Sequence, residues 1–384
     1  MAYRVRLAEE ADREPFGHVR SMVYRGGAPV GENEKLIRPD SSGYVVEHDG
    51  RVVGACLSIG MTCNRQEVVW RCSGVAAVGV LPEHRGTGAG LELVKGVVRE
   101  TRKTGFDFSA LYPSKASFYR KAGYEFAGVQ YEVSCPAPLL PRIADPMPMR
   151  QLEPKQFDRL VACYELFASR FSGMNIRNPL QWEMQMGGEN PFAVYVAGDP
   201  VEAYVAVRHV ADFFVPQPIR EFVWSTRRGY EAGLALFAGL SFSKSAVVWD
   251  EPSTSPFLAE WFPTGCAVKI GRLAMYRILD IPRALQKLRP HGAGEFVIAV
   301  ADDVLPENRG PWRVVWSGGE VDVTPTTQEP DLTTDVGAFS QALLGEPSAE
   351  QLVGQGRIRL NSHQATAALV ELLPRNPTYC LDYY

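Results

Sequence analysis

The chain of 384 residues is short of the side chains that build metal and disulfide sites. Its seven cysteines are an odd number, scattered, and never spaced as C-x-x-C. Its six histidines do not cluster. Neither a disulfide framework nor a zinc site is expected from that pattern. H-E-x-x-H and G-x-S-x-G are both missing, so zinc-protease and nucleophile-elbow chemistry are not indicated. No apolar run approaches the ~20 residues of a membrane span. Positive charge is not in excess: 40 Lys and Arg face 44 Asp and Glu, for a net charge of −4, which gives no global electrostatic case for nucleic acid. Met1-Ala2-Tyr3-Arg4 leads into Glu9, Glu10 and Asp12 and does not read as a secretory signal. The expectation is a reduced, cytoplasmic, metal-free protein with no nucleic-acid or membrane partner.

Apolar residues are plentiful, at 46%, and the length calls for two or three domains. The most informative stretch is residues 75–91. Residues 76–80 are small or β-branched and fit a buried strand, which Pro82 ends. Arg85-Gly86-Thr87-Gly88-Ala89-Gly90 follows, and a helical pattern starts at once, with Leu91, Val94 and Val98 on one face, Leu93 and Val97 beside them, and Gly105 as the stop. Strand, glycine turn and helix start together make an anion cradle. N–H groups at a helix start lack intrahelical partners and carry partial positive charge. Glycine lets a ligand reach the backbone. Arg85 adds a fork-shaped cation suited to phosphate.

Two phosphate motifs do not fit. The P-loop needs Lys-Ser/Thr where Ala89-Gly90-Leu91 stands, and the dinucleotide fingerprint started at Gly86 and Gly88 meets Leu91 where a small residue is required. The loop does fit R-x-x-G-x-G, as Arg85, Gly88 and Gly90. In that setting it resembles the acyl-CoA pyrophosphate loop of the GNAT N-acetyltransferases. An ordinary glycine turn would give the same residues. Further on, Phe118-Tyr119-Arg120-Lys121-Ala122-Gly123-Tyr124 resembles the GNAT segment that places a Tyr beside the thioester sulfur. Alone, Tyr119 would read as a core aromatic.

The order of elements along residues 1–135 is similar to that of a GNAT domain: strand, helix, a hairpin across Asp49-Gly50, a central strand, the loop and its helix, a strand, a short helix, and a final strand over residues 125–134. Residues 26–40 form a polar loop whose Glu32 and Glu34 could draw in a cationic amine, or could be solvated surface charge. Five prolines between 136 and 148 mark residues 136–150 as a linker. Residues 151–282 repeat the order of the first domain, closing with a strand over 273–279. The equivalent turn, Ser225-Thr226-Arg227-Arg228-Gly229, holds one glycine. This reads as a second, degenerate GNAT-like domain, with an unrelated α/β domain as the alternative. Residues 283–384 begin strand-rich, turn helical with Asn361 as a candidate N-cap, and resemble a sterol-carrier-protein-like domain. The fold class expected is therefore mixed α+β: two tandem GNAT-like domains and a sterol-carrier-like one.

The chain closes on Tyr379-Cys380-Leu381-Asp382-Tyr383-Tyr384, where Tyr379, Leu381 and Tyr383 alternate like a strand or cap a hydrophobic groove. Together with the domain order, this resembles the Eis (enhanced intracellular survival) family of acetyltransferases. The resemblance implies acetyl-CoA as co-substrate, with transfer to a primary amine of an aminoglycoside, a polyamine or a lysine, in a homo-hexamer. It implies Tyr119 as general acid and the α-carboxylate of Tyr384 as general base. The family usually ends in Phe with an acid before it, so Tyr384, Tyr383 and Asp382 depart from the pattern. Acetyl-CoA would be held by Arg85, Gly86, Gly88, Gly90 and the backbone of Val78 and Val80, with Ser114 as a further contact or simply a helix N-cap. Rival readings are a lipid or sterol carrier, from the last domain, and a protein that senses acetyl-CoA without turnover.

Overall fold

The computed structural model describes residues 3–30, 37–66, 68–187, 192–240, 244–271, 273–361, 364–382 and 384. Among them the strands fall into three sheets. The first is built from β1 (Arg4–Leu7), β2 (Ser41–His48), β3 (Arg51–Arg65), β4 (Val68–Val80), β5 (Phe108–Leu111) and β6 (Glu125–Phe126), with helices α1 (Arg13–Tyr24), α2 (Ala89–Lys103) and α3 (Ala116–Arg120) between them. The β2–β3 turn is Asp49-Gly50, at φ 48° and 75°. Both are left-handed, as a two-residue turn matched to strand twist requires. The short strand expected at 76–80 is the end of a longer β4. α2 buries Leu93, Val94, Val97 and Val98, the face its periodicity marks.

The second sheet is built from β7 (Gln130–Cys135), β8 (Met149–Gln151), β9 (Ala193–Ala197), β10 (Ala203–Val207), β11 (Gln217–Trp224), β12 (Val247–Pro252) and β13 (Ala267–Ile270), with α4 (Val161–Ala168), α5 (Pro179–Met186) and α6 (Arg227–Leu240). Next comes β14 (Met275–Ile278), and here the sheets differ from the expected ones. The order of the first is β1-β2-β3-β4-β5-β14-β6 and of the second β13-β7-β12-β11-β10-β9-β8. The single closing strand expected at 125–134 is cut at Gly128, which turns with φ 82°. Only its first two residues, β6, stay in the first sheet. The remainder, β7, inserts between β12 and β13, and β14 returns to the first sheet to pair with β5. Each domain thus takes one strand from the other's stretch of chain, and residue 135 is no clean cut. β14 is buried at every position, as a strand flanked on both sides must be.

One further expectation is corrected. Cys135, at the end of β7, is disulfide-paired with Cys266, just before β13, because insertion of β7 brings residues 131 apart in sequence together. The start of helix α7 (Gln364–Leu372) adjoins residues outside the described ones, so the Asn361 cap lies outside them too; the Asn361 amide donates to the Pro330 carbonyl at 2.7 Å.

The third sheet, β15 (Gly294–Ala301), β16 (Trp312–Ser317), β17 (Glu320–Pro325), β18 (Leu332–Asp335) and β19 (Ile358–Leu360), runs in the order β17-β16-β15-β18-β19. Its inner face is filled by Phe296, Ile298, Trp316, Leu343 and Leu369, each at most 2% exposed, in one apolar cluster continuous with Trp70, Phe108 and Ile278 of the first sheet. Among its described residues the tail is not a strand. Its one described bridge joins Thr378 to Ser172.

Candidate active site

β4 and β5 pair in parallel only from Cys72↔Phe108 to Gly74↔Ala110. Beyond that point β4 carries a bulge. Its register with β3 shifts between Ala55 and Leu57, and Ala77 sits at φ 51°, a conformation that costs a residue with a Cβ about 1–2 kcal/mol. A bulge increases local twist and turns a strand away from its neighbour. The Val78 carbonyl accepts from the Tyr24 hydroxyl at 2.7 Å. The result is an open wedge between the end of β4 and the segment after β5.

A cleft of about 500 Å³ occupies that wedge. Val78 and Val80 line its β4 side. Arg85, Gly86, Gly88 and Gly90 line the turn, and Ser114 and Tyr119 the far wall. The eight residues expected from sequence around Tyr119 therefore meet in one place. Tyr384 does not line this cleft. Its half-buried ring packs at 5.4 Å from Tyr112, on β4 where a Cβ at Gly74 would come within 2.9 Å of it. Glu32 and Glu34 lie outside the described residues.

The three glycines of the turn are not equivalent. Gly86 and Gly88 have φ 78° and 98°, and a Cβ added to either would meet nothing within 4 Å. They border open space in which a ligand can approach the backbone. A Cβ at Gly90 would stand 3.3 Å from Val80 and 3.5 Å from Phe118, so this glycine serves the packing of α2 against β4 and α3. Gly88 is the N-cap of α2 and no side chain caps that end. The first N–H groups of a helix of 15 residues thus face the cleft mouth without a side-chain acceptor. Arg85 is exposed, with its Nε on the Val80 carbonyl at 3.2 Å.

Lys115, Lys121 and His84 join Arg85 along the cleft, and among the described residues no carboxylate lines it. Sequence reading missed these residues. Their signal was available only in part: Lys115 and Lys121 flank Tyr119 closely, but charge near a motif is ordinary surface composition. Tyr119 is 6% exposed and packs edge-on to Phe118 at 4.9 Å. Burial raises its phenol above the ordinary range, while a hydrogen bond with Ser114 opposes that rise. Ser114 therefore belongs to the wall of the cleft, and the residue preceding α3 is Lys115. Among the described residues no group of three or more His, Cys, Asp or Glu is placed to hold a metal ion, and no helix is long and apolar enough to cross a membrane.

Two stretches of the chain match known domains. Residues 4–127 match the acetyltransferase (GNAT) domain, and residues 281–381 match the sterol carrier protein domain. An uncharacterized N-acetyltransferase of Streptomyces avermitilis is 28% identical over 206 residues, a match that takes in 50% of this chain and 48% of that protein, so it spans about half the relative's length. A GCN5-related N-acetyltransferase from Anabaena variabilis superposes over 100% of both chains with a TM-score of 0.87 at 20% identity. Eis1 from Mycobacterium abscessus does so over 100% of both chains with a TM-score of 0.79 at 20% identity. At such identities the likeness to the two solved structures is one of fold. Residues 4–127 thus carry a GNAT acetyltransferase domain and residues 281–381 a sterol carrier protein domain, with the mixed α/β second sheet and its helices between them.

Proposed function

We propose that the protein is an Eis-like N-acetyltransferase that moves the acetyl group of acetyl-CoA to a primary amine of a polycationic acceptor, such as an aminoglycoside, a polyamine or a lysine side chain. The observation that carries this reading is the cleft's charge. In a chain of net charge −4, this cleft is lined, among the described residues, by Arg85, Lys115 and Lys121 and by no acid, at an open glycine turn and a helix start. That chemistry suits a diphosphate and an additional phosphate.

The chemistry needs three things. An ammonium must lose a proton before its nitrogen can attack. The carbonyl oxygen must be stabilised as it gains charge. The sulfur must leave with a proton. In our reading a β4 amide, at Val78 or Val80, donates to the developing oxyanion. The nitrogen–carbon bond forms as the carbon–sulfur bond breaks, and Tyr119 gives its proton to the sulfur. The support for that role is position: Tyr119 stands on the cleft wall opposite Val78 and Val80, and like any phenol it holds its proton at neutral pH. The α-carboxylate of Tyr384 takes or relays the amine's proton. A free α-carboxyl titrates near ~3.5, so a water or the tail's burial must assist.

The lipid-carrier reading finds less support, because the inner face of the third sheet is filled by its own side chains. The Eis-like reading also carries a homo-hexamer, which light scattering coupled to size exclusion tests. The functional test is release of thiol from acetyl-CoA against a panel of amines, with the acetylated product identified by mass.

A further inference from the structure

Asp382 is 1% exposed, in the tail two residues before Tyr384. Its Oδ2 accepts from the Asn175 amide at 2.6 Å and its Oδ1 from Arg177 Nε at 2.7 Å. Arg177 is itself wholly buried. Its two terminal nitrogens donate to Glu221 at 2.9 and 2.8 Å, and its guanidinium lies 4.3 Å from the Tyr164 ring and 4.8 Å from that of Trp182. The other end of the residue is held by the first domain: the Tyr112 hydroxyl donates to the Asp382 carbonyl at 2.8 Å, and the same Tyr112 ring packs against Tyr384. Tyr112 stands two residues before Ser114 of the cleft.

Burying a carboxylate and a guanidinium costs several kcal/mol per ion unless both are paired and fully hydrogen-bonded. Apolar side chains alone would plug the groove at lower cost, and Tyr379 and Leu381 already do so, at 4% and 6% exposure. Apolar contacts are non-directional, so an apolar tail can shift along the groove and stay buried. One carboxylate between two fixed donors cannot.

We propose that Arg177 and Asn175 of the second domain are positioning residues for the acetyl transfer. They clamp Asp382 and so fix the register of the tail that sets Tyr384 beside β4 and β5. This inference rests on the N-acetyltransferase reading. It also gives the degenerate domain a role in the reaction, which is to hold the tail in place.

The test uses the full chain and three variants, Asp382→Asn, Tyr112→Phe and Asp382→Glu. Turnover is followed by thiol release, acetyl-CoA affinity by calorimetry, and tail protection by hydrogen exchange of the peptide 374–384. For Asp382→Asn we expect protection of that peptide to be lost, turnover to fall at least tenfold, and acetyl-CoA affinity to stay within about twofold of wild type. Tyr112→Phe, which keeps the ring and loses the donor, should move the same two readouts in the same direction, and Asp382→Glu should restore part of both. Full turnover with an unprotected tail would overturn the proposal. So would lost turnover with a protected tail, or affinity and turnover falling together. A wild type that turns over no amine fails the enzymatic reading, whereas an active wild type with an indifferent Asp382→Asn fails this inference alone.

Discussion

Replacing Gly88 with alanine separates the cradle from the fold around it. At φ 98° an alanine costs about 1–2 kcal/mol in backbone strain, which a denaturant titration should register as a modest loss of stability. Beyond its chain neighbours, no described residue lies within 4 Å of the new methyl, so packing adds little to that loss. The methyl instead enters the space beside the uncapped start of α2. A hydrogen bond from a backbone N–H to a charged oxygen contributes about 1.5–3 kcal/mol, and displacing the diphosphate from one such N–H should weaken acetyl-CoA roughly ten- to a hundredfold. Gly90→Ala is the control. Its methyl meets Val80 and Phe118 inside the fold, at 3.3 and 3.5 Å, and its effect should fall on stability more than on affinity. Calorimetry with acetyl-CoA decides. If Gly88→Ala binds as wild type does while Gly90→Ala loses affinity, the ligand does not sit on this turn.

Tyr119→Phe should lower turnover by about 10²–10⁴-fold with acetyl-CoA affinity nearly unchanged; unaltered turnover in the thiol assay would remove the phenol from the reaction. A few residues appended after Tyr384 should abolish turnover, and a fully active extended chain would remove its α-carboxylate. Glu251 predicts a pH effect on stability. It is wholly buried, and burial raises it from 4.5 to about 7 although the Tyr230 hydroxyl and Trp249 Nε1 donate to it. Because the folded value exceeds the unfolded one, its contribution is fully present below about 4.5 and is lost as pH rises through 7. That is about 3 kcal/mol over the interval. Glu251→Gln should remove this slope and stabilise the protein at pH ~8, by urea titration; equal slopes in the two proteins would show that Glu251 carries no such shift.

Much of the first domain could be read from sequence because its signals are local. Asp49-Gly50 makes its turn unaided. Arg85, Gly86 and Gly88 line one cleft because strand, turn and helix start are consecutive. Tyr119 was identifiable from the segment around it. What escaped depends on partners far along the chain. β6, β7 and β14 are each plausible strands, but which sheet a strand joins is a matter of long-range pairing, and the exchange leaves no local mark. The pairing of Cys135 with Cys266 follows from that exchange and was invisible for the same reason. Asp382 looked like a departure from an acidic acceptor-binding pattern. Its buried partner, Arg177, is 205 residues away. Gly90 shares the motif and the cleft with Gly86 and Gly88, and it alone of the three also lies against Val80 and Phe118.

The central claim is that the cleft at Gly88 holds acetyl-CoA with its thioester beside Tyr119. Thiol release from acetyl-CoA, run on the wild-type chain with polyamines, aminoglycosides and lysine peptides in turn, tests it most directly. The account predicts amine-dependent release matched by an acetylated amine for at least one of these classes. Tight acetyl-CoA binding with no thiol released for any amine would contradict it and leave a sensor in place of an enzyme.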